Sequence, residues 1–279
     1  MKNVLLTGGT GFIGRNIKPI LEKECNLFSP NRKELNLKNE KEVREYIKKN
    51  KINVVIHSAN PNPVKNSLDE AHSFFEDSMR CFMNLYAARD LYEKMFYLGS
   101  GAEFNKRQDI TSIEEDACFR SIPEDSYGFA KYIMNTICHN DSKVVNLRIF
   151  ACYGPTDHES KFITHCIHCC MNNQNITIRQ NCYFDYMHVY DLGNILIHLI
   201  NKYPTENDYN VCSGKRVSLL EIANIVKQQM KSNCEIQLLS EGMNKEYTGS
   251  NKKLLKEIGE YNFISLVNGI KIQIESERK

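Results

Sequence analysis

The sequence predicts an α/β protein built on a doubly wound parallel sheet with a smaller C-terminal lobe. Three features carry this expectation: a strand–helix rhythm up to residue 150, a glycine-rich turn at its start, and a changed rhythm afterwards. Short apolar runs at 4–6, 26–28, 53–56, 95–98 and 144–149 have the length and branched content of buried strands. Between them, 11–24, 40–50, 74–92 and 126–140 carry apolar residues three and four apart, as Val43, Tyr46 and Ile47 do. That is the period of a helix packed by one face. Strands alternating with helices pair in parallel through right-handed crossovers. Beyond 150 the expected elements are a His/Cys-rich helix at about 160–172, a short strand at 176–178 and a helix over 189–201. Two surface-packing helices follow, at 219–230 and 252–259. No internal repeat or low-complexity linker interrupts the pattern.

Composition narrows the function classes. Of 279 residues, 42% are hydrophobic and 25% charged, which is ordinary for a globular chain and too apolar for a disordered one. Thirty-six Lys and Arg face 34 Asp and Glu, with the signs interspersed, so neither a nucleic acid nor an anionic membrane is an expected partner. There is no run of about 18 apolar residues, and the chain opens directly on a strand-like segment, so the expected setting is soluble and cytoplasmic. Eleven cysteines, an odd number without a secretion signal, read as reduced thiols. In the segment His165 to Cys170, a helix would put Cys166, Cys169 and Cys170 on one face. Without a second Cys-x-x-Cys knuckle to complete a tetrahedral zinc site, these read as packed thiols, and no metal is expected.

The turn Thr7-Gly8-Gly9-Thr10-Gly11-Phe12-Ile13-Gly14 joins the first strand to the first helix. Glycines at this spacing let the backbone approach a pyrophosphate, while the helix N-terminus offers unpaired N–H groups and a positive dipole end. Gly8, Thr10, Gly11, Phe12 and Ile13 are therefore candidate dinucleotide contacts, together with Ser58 and Ala59 beyond the third strand. After the second strand comes Ser29-Pro30-Asn31-Arg32-Lys33, with no acid before Glu34. A carboxylate there would hold the ribose hydroxyl of NAD and repel a 2′-phosphate, whereas Arg32 suits that phosphate. NADP(H) is expected over NAD(H). The expected division is a dinucleotide-binding domain over 1–150, to which 182–205 returns, and a lobe made of 151–181 and 206–279.

Tyr127 and Lys131 lie four apart at the start of an expected helix and so share a face. A lysine so placed can lower the phenol's pKa and bind ribose hydroxyls. Ser100 ends the fourth apparent strand, where an α/β sheet presents ligand-contacting groups. Serine can hydrogen-bond a carbonyl oxygen while the tyrosine supplies a proton.

With these residues the sequence resembles the extended short-chain dehydrogenase/reductase family of nucleotide-sugar epimerases, dehydratases and reductases. The likeness runs from the turn at 7–14 through Ser100, Tyr127 and Lys131 to Tyr153-Gly154-Pro155 and the segment 184–192, where Phe184 replaces the family's arginine. It implies a Rossmann fold with a smaller C-terminal substrate-binding lobe that takes a nucleoside-diphosphate sugar, with Lys161, Phe162, Ile178 and Arg179 lining its site. The stretch 32–37 is most similar to that of NADPH-using 4-keto-6-deoxysugar reductases. Bifunctional members also need a cysteine two residues after the serine and a histidine after Tyr-Gly-Pro; Ala102 and Thr156 stand there. A dehydratase would show an Asp-Glu pair where this chain has Gly101-Ala102, and Glu103 reads as structural. What remains is NADPH-dependent reduction of a 4-keto group by Ser100, Tyr127 and Lys131. The alternatives are an NAD-dependent 4-epimerase and a non-enzymatic dinucleotide sensor or scaffold. The family also implies a homodimer through 74–92 and 126–140, although Phe74, Phe75, Cys81, Phe82, Leu85 and Tyr86 suit a sheet-facing helix equally well.

Overall fold

The computed structural model describes residues 1–61 and 71–278. Its centre is a six-stranded, all-parallel sheet of β1 (Asn3–Thr7), β2 (Asn26–Phe28), β3 (Val54–His57), β4 (Lys94–Ser100), β6 (Val144–Ile149) and β10 (Asp208–Val211). The order across it is β10-β6-β4-β3-β1-β2, a Rossmann-like winding outward in both directions from β1 and β3. The period-two alternation of each strand sorts its side chains to two faces. Val4, Leu6, Ile56, Phe96 and Leu147 meet α1 (Phe12–Leu21) and α6 (Val189–Asn201). Leu5, Val55, Met95, Tyr97 and Val144 meet α2 (Glu40–Lys49), α3 (Ala71–Ala87) and α4 (Ser126–His139) on the other side.

Helix starts follow local chemistry. Asn39 caps α2 by accepting from Glu42 N–H at 3.3 Å, and Asp125 caps α4 by accepting from Gly128 N–H at 2.9 Å. The cap on α4 puts Tyr127 in the first turn. The expected helix over 74–92 ends at Ala87 and continues as a single 3-10 turn over Arg89–Leu91. Phe74, Phe82 and Leu85 are buried in the sheet core, so the helix's packing onto the sheet claims them, not a subunit interface.

The smaller lobe holds two further sheets. The first contains β5 (Ile110–Ile113), β9 (Tyr183–His188), β11 (Arg216–Ser218) and β13 (Tyr247–Gly249), with β7 (Ala151–Tyr153) paired to β9. The second pairs β8 (Ile176–Asn181) with β12 (Ile236–Met243). Here α5 (Phe162–Met171), α7 (Leu219–Met230) and α9 (Leu266–Glu277) pack around Ile163, Ile167, Ile222 and Ile270. The division expected from rhythm needs three corrections. Within 1–150, β5 pairs into the smaller lobe's first sheet. Within 206–279, β10 is an edge of the central sheet, and Leu254 of α8 (Lys252–Ile258) belongs to the same core. Within 182–205, only α6 returns to that sheet, because β9 pairs in the lobe.

Leu147 is fully buried on a strand with neighbours on both edges. Leu147→Ala is expected to lower unfolding free energy by about 3 kcal/mol through lost burial and a residual cavity, read from urea denaturation.

Candidate active site

The C-terminal edge of the central sheet and the smaller lobe enclose a cleft of about 1020 Å³. At one end lies the glycine turn. Gly8 has φ +73°, and a Cβ there would lie 2.7 Å from the Ala59 backbone. At Gly14 a Cβ would lie 2.2 Å from the Gly8 carbonyl oxygen, so only glycine lets α1 start this close to β1. The N-cap of α1, Gly11, offers no side-chain cap, and the helix's first turn has no acidic residue. Uncapped N–H groups and an unopposed positive dipole end face the cleft beside Gly11, Phe12 and Ile13, which fits a pyrophosphate.

Arg32 is exposed and donates to the Pro61 carbonyl at 3.3 Å, so it bridges the loops that follow β2 and β3. The nearest acid, Glu34, is turned into its own loop, where it accepts from Asn31 N–H at 2.8 Å. The guanidinium therefore has no carboxylate partner in this corner among the described residues.

Ser100, Tyr127 and Lys131 all line the cleft. Ser100 Oγ accepts from Ala102 N–H at 3.1 Å and stands close to the phenols of Tyr127 and Tyr247. Burial pushes the Tyr127 phenol above its ordinary range, the Ser100 hydrogen bond draws it partly back, and the Glu103 charge adds to the rise. Lys131 Nζ donates to the Leu98 carbonyl at 2.9 Å and lies 5.9 Å from the centre of the Tyr127 ring. Burial lowers its pKa to about 8, against an upward pull from Glu103. The lysine thus acts first on the β4 backbone, and the expected depression of the phenol's pKa is absent in this arrangement. Behind it, His57 is buried, its Nδ1 sits 2.9 Å from Thr7 Oγ1, and burial holds it neutral with a pKa of about 3.

Glu103 lies beneath Ser100 in the 3-10 turn Gly101–Glu103 and is fully buried. Three donors converge on its two oxygens. Ser100 N–H reaches one at 2.9 Å; Asn146 Nδ2 and Arg148 Nε reach the other at 2.8 and 2.7 Å. Arg148, also fully buried, continues to Asn210 at 3.0 Å and Asp208 at 3.2 Å on β10. Asn146 also donates to Asn135 at 2.7 Å, one helical turn after Lys131. Its partners make Glu103 a structural anchor.

Of the other expected residues, Ser58, Lys161, Phe162, Ile178 and Arg179 line the cleft as well. Gly8, Thr10, Ala59 and Arg32 lie outside its lining, where Gly8 and Ala59 support the turn and the Thr10 carbonyl accepts from Arg15 at 3.0 Å. Sequence reasoning missed several lining groups. Asp157 and His158 lie two and three residues past Pro155, and reading the Tyr153-Gly154-Pro155 turn that much further would have found them. Asp157 is buried, accepts from His158 N–H at 2.8 Å, and is pushed up to about 7 by desolvation, which Lys161 opposes. Cys152 and Cys182 also line the cleft, although no thiol was expected near it. Tyr247 comes from β13, far along the chain, and its hydroxyl lies 2.4 Å from where a Cβ at Gly101 would stand.

A Rossmann-like sheet with serine, tyrosine and lysine meeting in a cleft at its C-terminal edge defines a protein of the short-chain dehydrogenase/reductase type. More narrowly, the sequence profile of the NAD dependent epimerase/dehydratase family matches residues 4–212, and the chain belongs to that family. It is 24% identical over 248 residues to GDP-L-colitose synthase of Yersinia pseudotuberculosis, covering 80% of each chain. It is 25% identical over 275 residues to dTDP-4-dehydro-6-deoxyglucose reductase of Escherichia coli, covering 84% of this chain and 83% of that one. The crystal structure of a GDP-L-fucose synthetase from Naegleria fowleri bound to NADP shares the fold with a TM-score of 0.85 at 18% identity, over 99% of this chain and 92% of that one. No described helix is long and apolar enough to cross a membrane.

Removing the Glu103 carboxylate would leave Arg148 with Asp208 as its one remaining carboxylate partner among the described residues and would remove its Nε hydrogen bond. Glu103→Ala is expected to cost about 3–5 kcal/mol in denaturant unfolding. Glu103→Gln is expected to fall well short of restoring it, because an amide turns one acceptor into a donor that faces donors.

Proposed function

We propose that this protein is an NADPH-dependent reductase acting on the 4-keto group of a nucleotide-activated deoxysugar. The observation that carries this reading is the meeting of Ser100, Tyr127 and Lys131 in one cleft that also receives the uncapped N-terminus of α1. Gly11, Phe12 and Ile13 would hold the pyrophosphate of the dinucleotide through backbone N–H groups, with Gly8, Thr10, Ser58 and Ala59 shaping the turn around it. Arg32 would meet a 2′-phosphate. When bound, the dinucleotide supplies the hydride. Ser100 donates a hydrogen bond to the substrate carbonyl, and Tyr127 delivers a proton to the same oxygen. Burial keeps the phenol protonated at neutral pH, which is the form a reduction consumes. Lys131 holds the β4 backbone under Ser100 through the Leu98 carbonyl.

Lys161, Phe162, Ile178 and Arg179 would line the nucleotide-sugar half of the cleft. The relatives named above as synthase and reductase support that substrate class, and Gly101-Ala102 in place of paired acids argues against dehydration. An NAD-dependent 4-epimerase uses the same three residues, but Arg32, which has no carboxylate partner among the described residues, is the wrong group beside a bare ribose. The outer faces of α3 and α4 bring Phe75 and Phe129 into a stacked pair at 5.7 Å beside exposed Met83, which supports a homodimer through these helices.

The test is NADPH oxidation with a panel of 4-keto sugars carried on GDP, dTDP and CDP. Turnover with one of them is expected, and Tyr127→Phe should reduce it about 100-fold or more while NADPH binding stays within about twofold. Tight NAD on the purified protein, with turnover in the absence of NADPH, would give the epimerase reading its place. Arg32→Ala should weaken NADPH binding about tenfold and leave NADH binding unchanged, as titrated by cofactor fluorescence.

A further inference from the structure

The His/Cys-rich segment of α5 is not explained by the cleft. Cys166, Cys169 and Cys170 turn into the apolar cluster of the smaller lobe, and Cys234 arrives against the last turn of the helix. Cys170 Sγ and Cys234 Sγ stand 3.6 Å apart, and no other two described cysteines are in hydrogen-bonding contact. Cys169 instead meets His165, its Sγ 3.5 Å from Nε2. Among the described residues no group of three or more His, Cys, Asp or Glu is arranged to hold a metal ion. What the cluster offers is therefore a pair of facing thiols.

The two partners differ in freedom. Cys170 is fixed in a helix, whereas Cys234 sits in the short connection between α7 and β12, after the left-handed cap Lys231 at φ +51°. A disulfide needs sulfurs about 2.05 Å apart, so closure asks for about 1.5 Å of movement, within reach of side-chain rotation and a small shift of that connection. Neither thiol is sealed: Cys170 keeps 6% of its surface exposed and Cys234 keeps 7%.

We propose that Cys170 and Cys234 form a reversible disulfide when the protein meets hydrogen peroxide. One thiol, as thiolate, attacks a peroxide oxygen. The O–O bond breaks, hydroxide leaves and takes up the thiol's proton as water, and a sulfenic acid remains. The second thiolate attacks that sulfur, the S–O bond breaks, and a second water leaves as the S–S bond forms. Two thiols are oxidised by two electrons in total, and one peroxide is reduced to two waters. Burial pushes the Cys170 thiol up to about 11, so the reaction is slow at pH 7 and accelerates about tenfold per pH unit toward 9. The crosslink joins residues 64 apart and ties the end of α5 to the start of β12, and through it to β8. Both α5 and β8 contribute cleft wall, α5 at its other end through Phe162 and β8 at its middle through Ile178 and Arg179.

The experiment uses the full chain and does not depend on the reaction at the cleft. Protein treated with hydrogen peroxide at pH 8.5 is digested with trypsin without reduction. The expected product joins peptide 162–179 to peptide 232–245 through Cys170 and is separated again by dithiothreitol. Thiols titrated in denaturant should fall by two from 11, and Tm should rise by about 5 °C. Cys170→Ser and Cys234→Ala should each abolish the crosslink and the rise in Tm while unfolding cooperatively when reduced. A bridge through Cys166 or Cys169, sulfinic acid at Cys170 with no bridge, a Tm rise surviving in both variants, or no reaction at pH 8.5 would each overturn the proposal.

Discussion

The enclosed ion pair between Glu103 and Arg148 is the constraint on which the rest of the site depends. Taking two full charges out of water is costly, and the pair persists because donors meet both Glu103 oxygens while Arg148 donates to Glu103, Asn210 and Asp208. Glu103 reaches up to the backbone of Ser100, while Arg148 reaches sideways to Asp208 and Asn210 on the edge strand. Asn146 links the same carboxylate to Asn135 on the helix that carries Tyr127 and Lys131. One set of bonds thus registers the end of β4, the middle of β6, the edge strand β10 and helix α4 against each other. A displacement of any one would break buried charged hydrogen bonds, so Ser100 and Tyr127 are placed by electrostatics as much as by packing.

That arrangement also explains what could and could not be read from sequence. Five of the six strands up to residue 149, those of the central sheet, were legible because each turns apolar side chains to both faces, as parallel strands covered by helices must. β10 was not. Its sequence, Asp208-Tyr209-Asn210-Val211, lacks an apolar run because Asp208 and Asn210 point their polar ends at Arg148. The lobe's first sheet was equally hidden. β5 and β13 are four and three residues long and pair across more than a hundred positions, so no local pattern marks them. Ser100, Tyr127 and Lys131 were visible because their spacing belongs to a strand end and a first helical turn. Tyr247 and Cys152 carry no such local mark, and only the folded chain brings them into the cleft.

Global and local charge tell different stories here. A net charge of +2 argues against a polyanionic partner, yet the cleft wall gathers Lys106, Lys161, Arg179 and Lys245. Cations focused in a concave, partly apolar site favour a small dianion without attracting a long one. Phe184 lines the same wall without charge, so positive charge reaches the cleft from other positions along it.

Gly101 and Tyr247 constrain each other. Any side chain at 101 would run into the Tyr247 hydroxyl, held between Phe150 and Phe184 with ring centres 5.2 and 5.8 Å away. A carboxylate at 101 would fit beside Ser100 only if Tyr247 moved. The phenol would have to leave first, and its departure would open a hole next to the serine before any new acid could fill it. Positions 101 and 247 are therefore coupled: a side chain at one requires the other to give up its place.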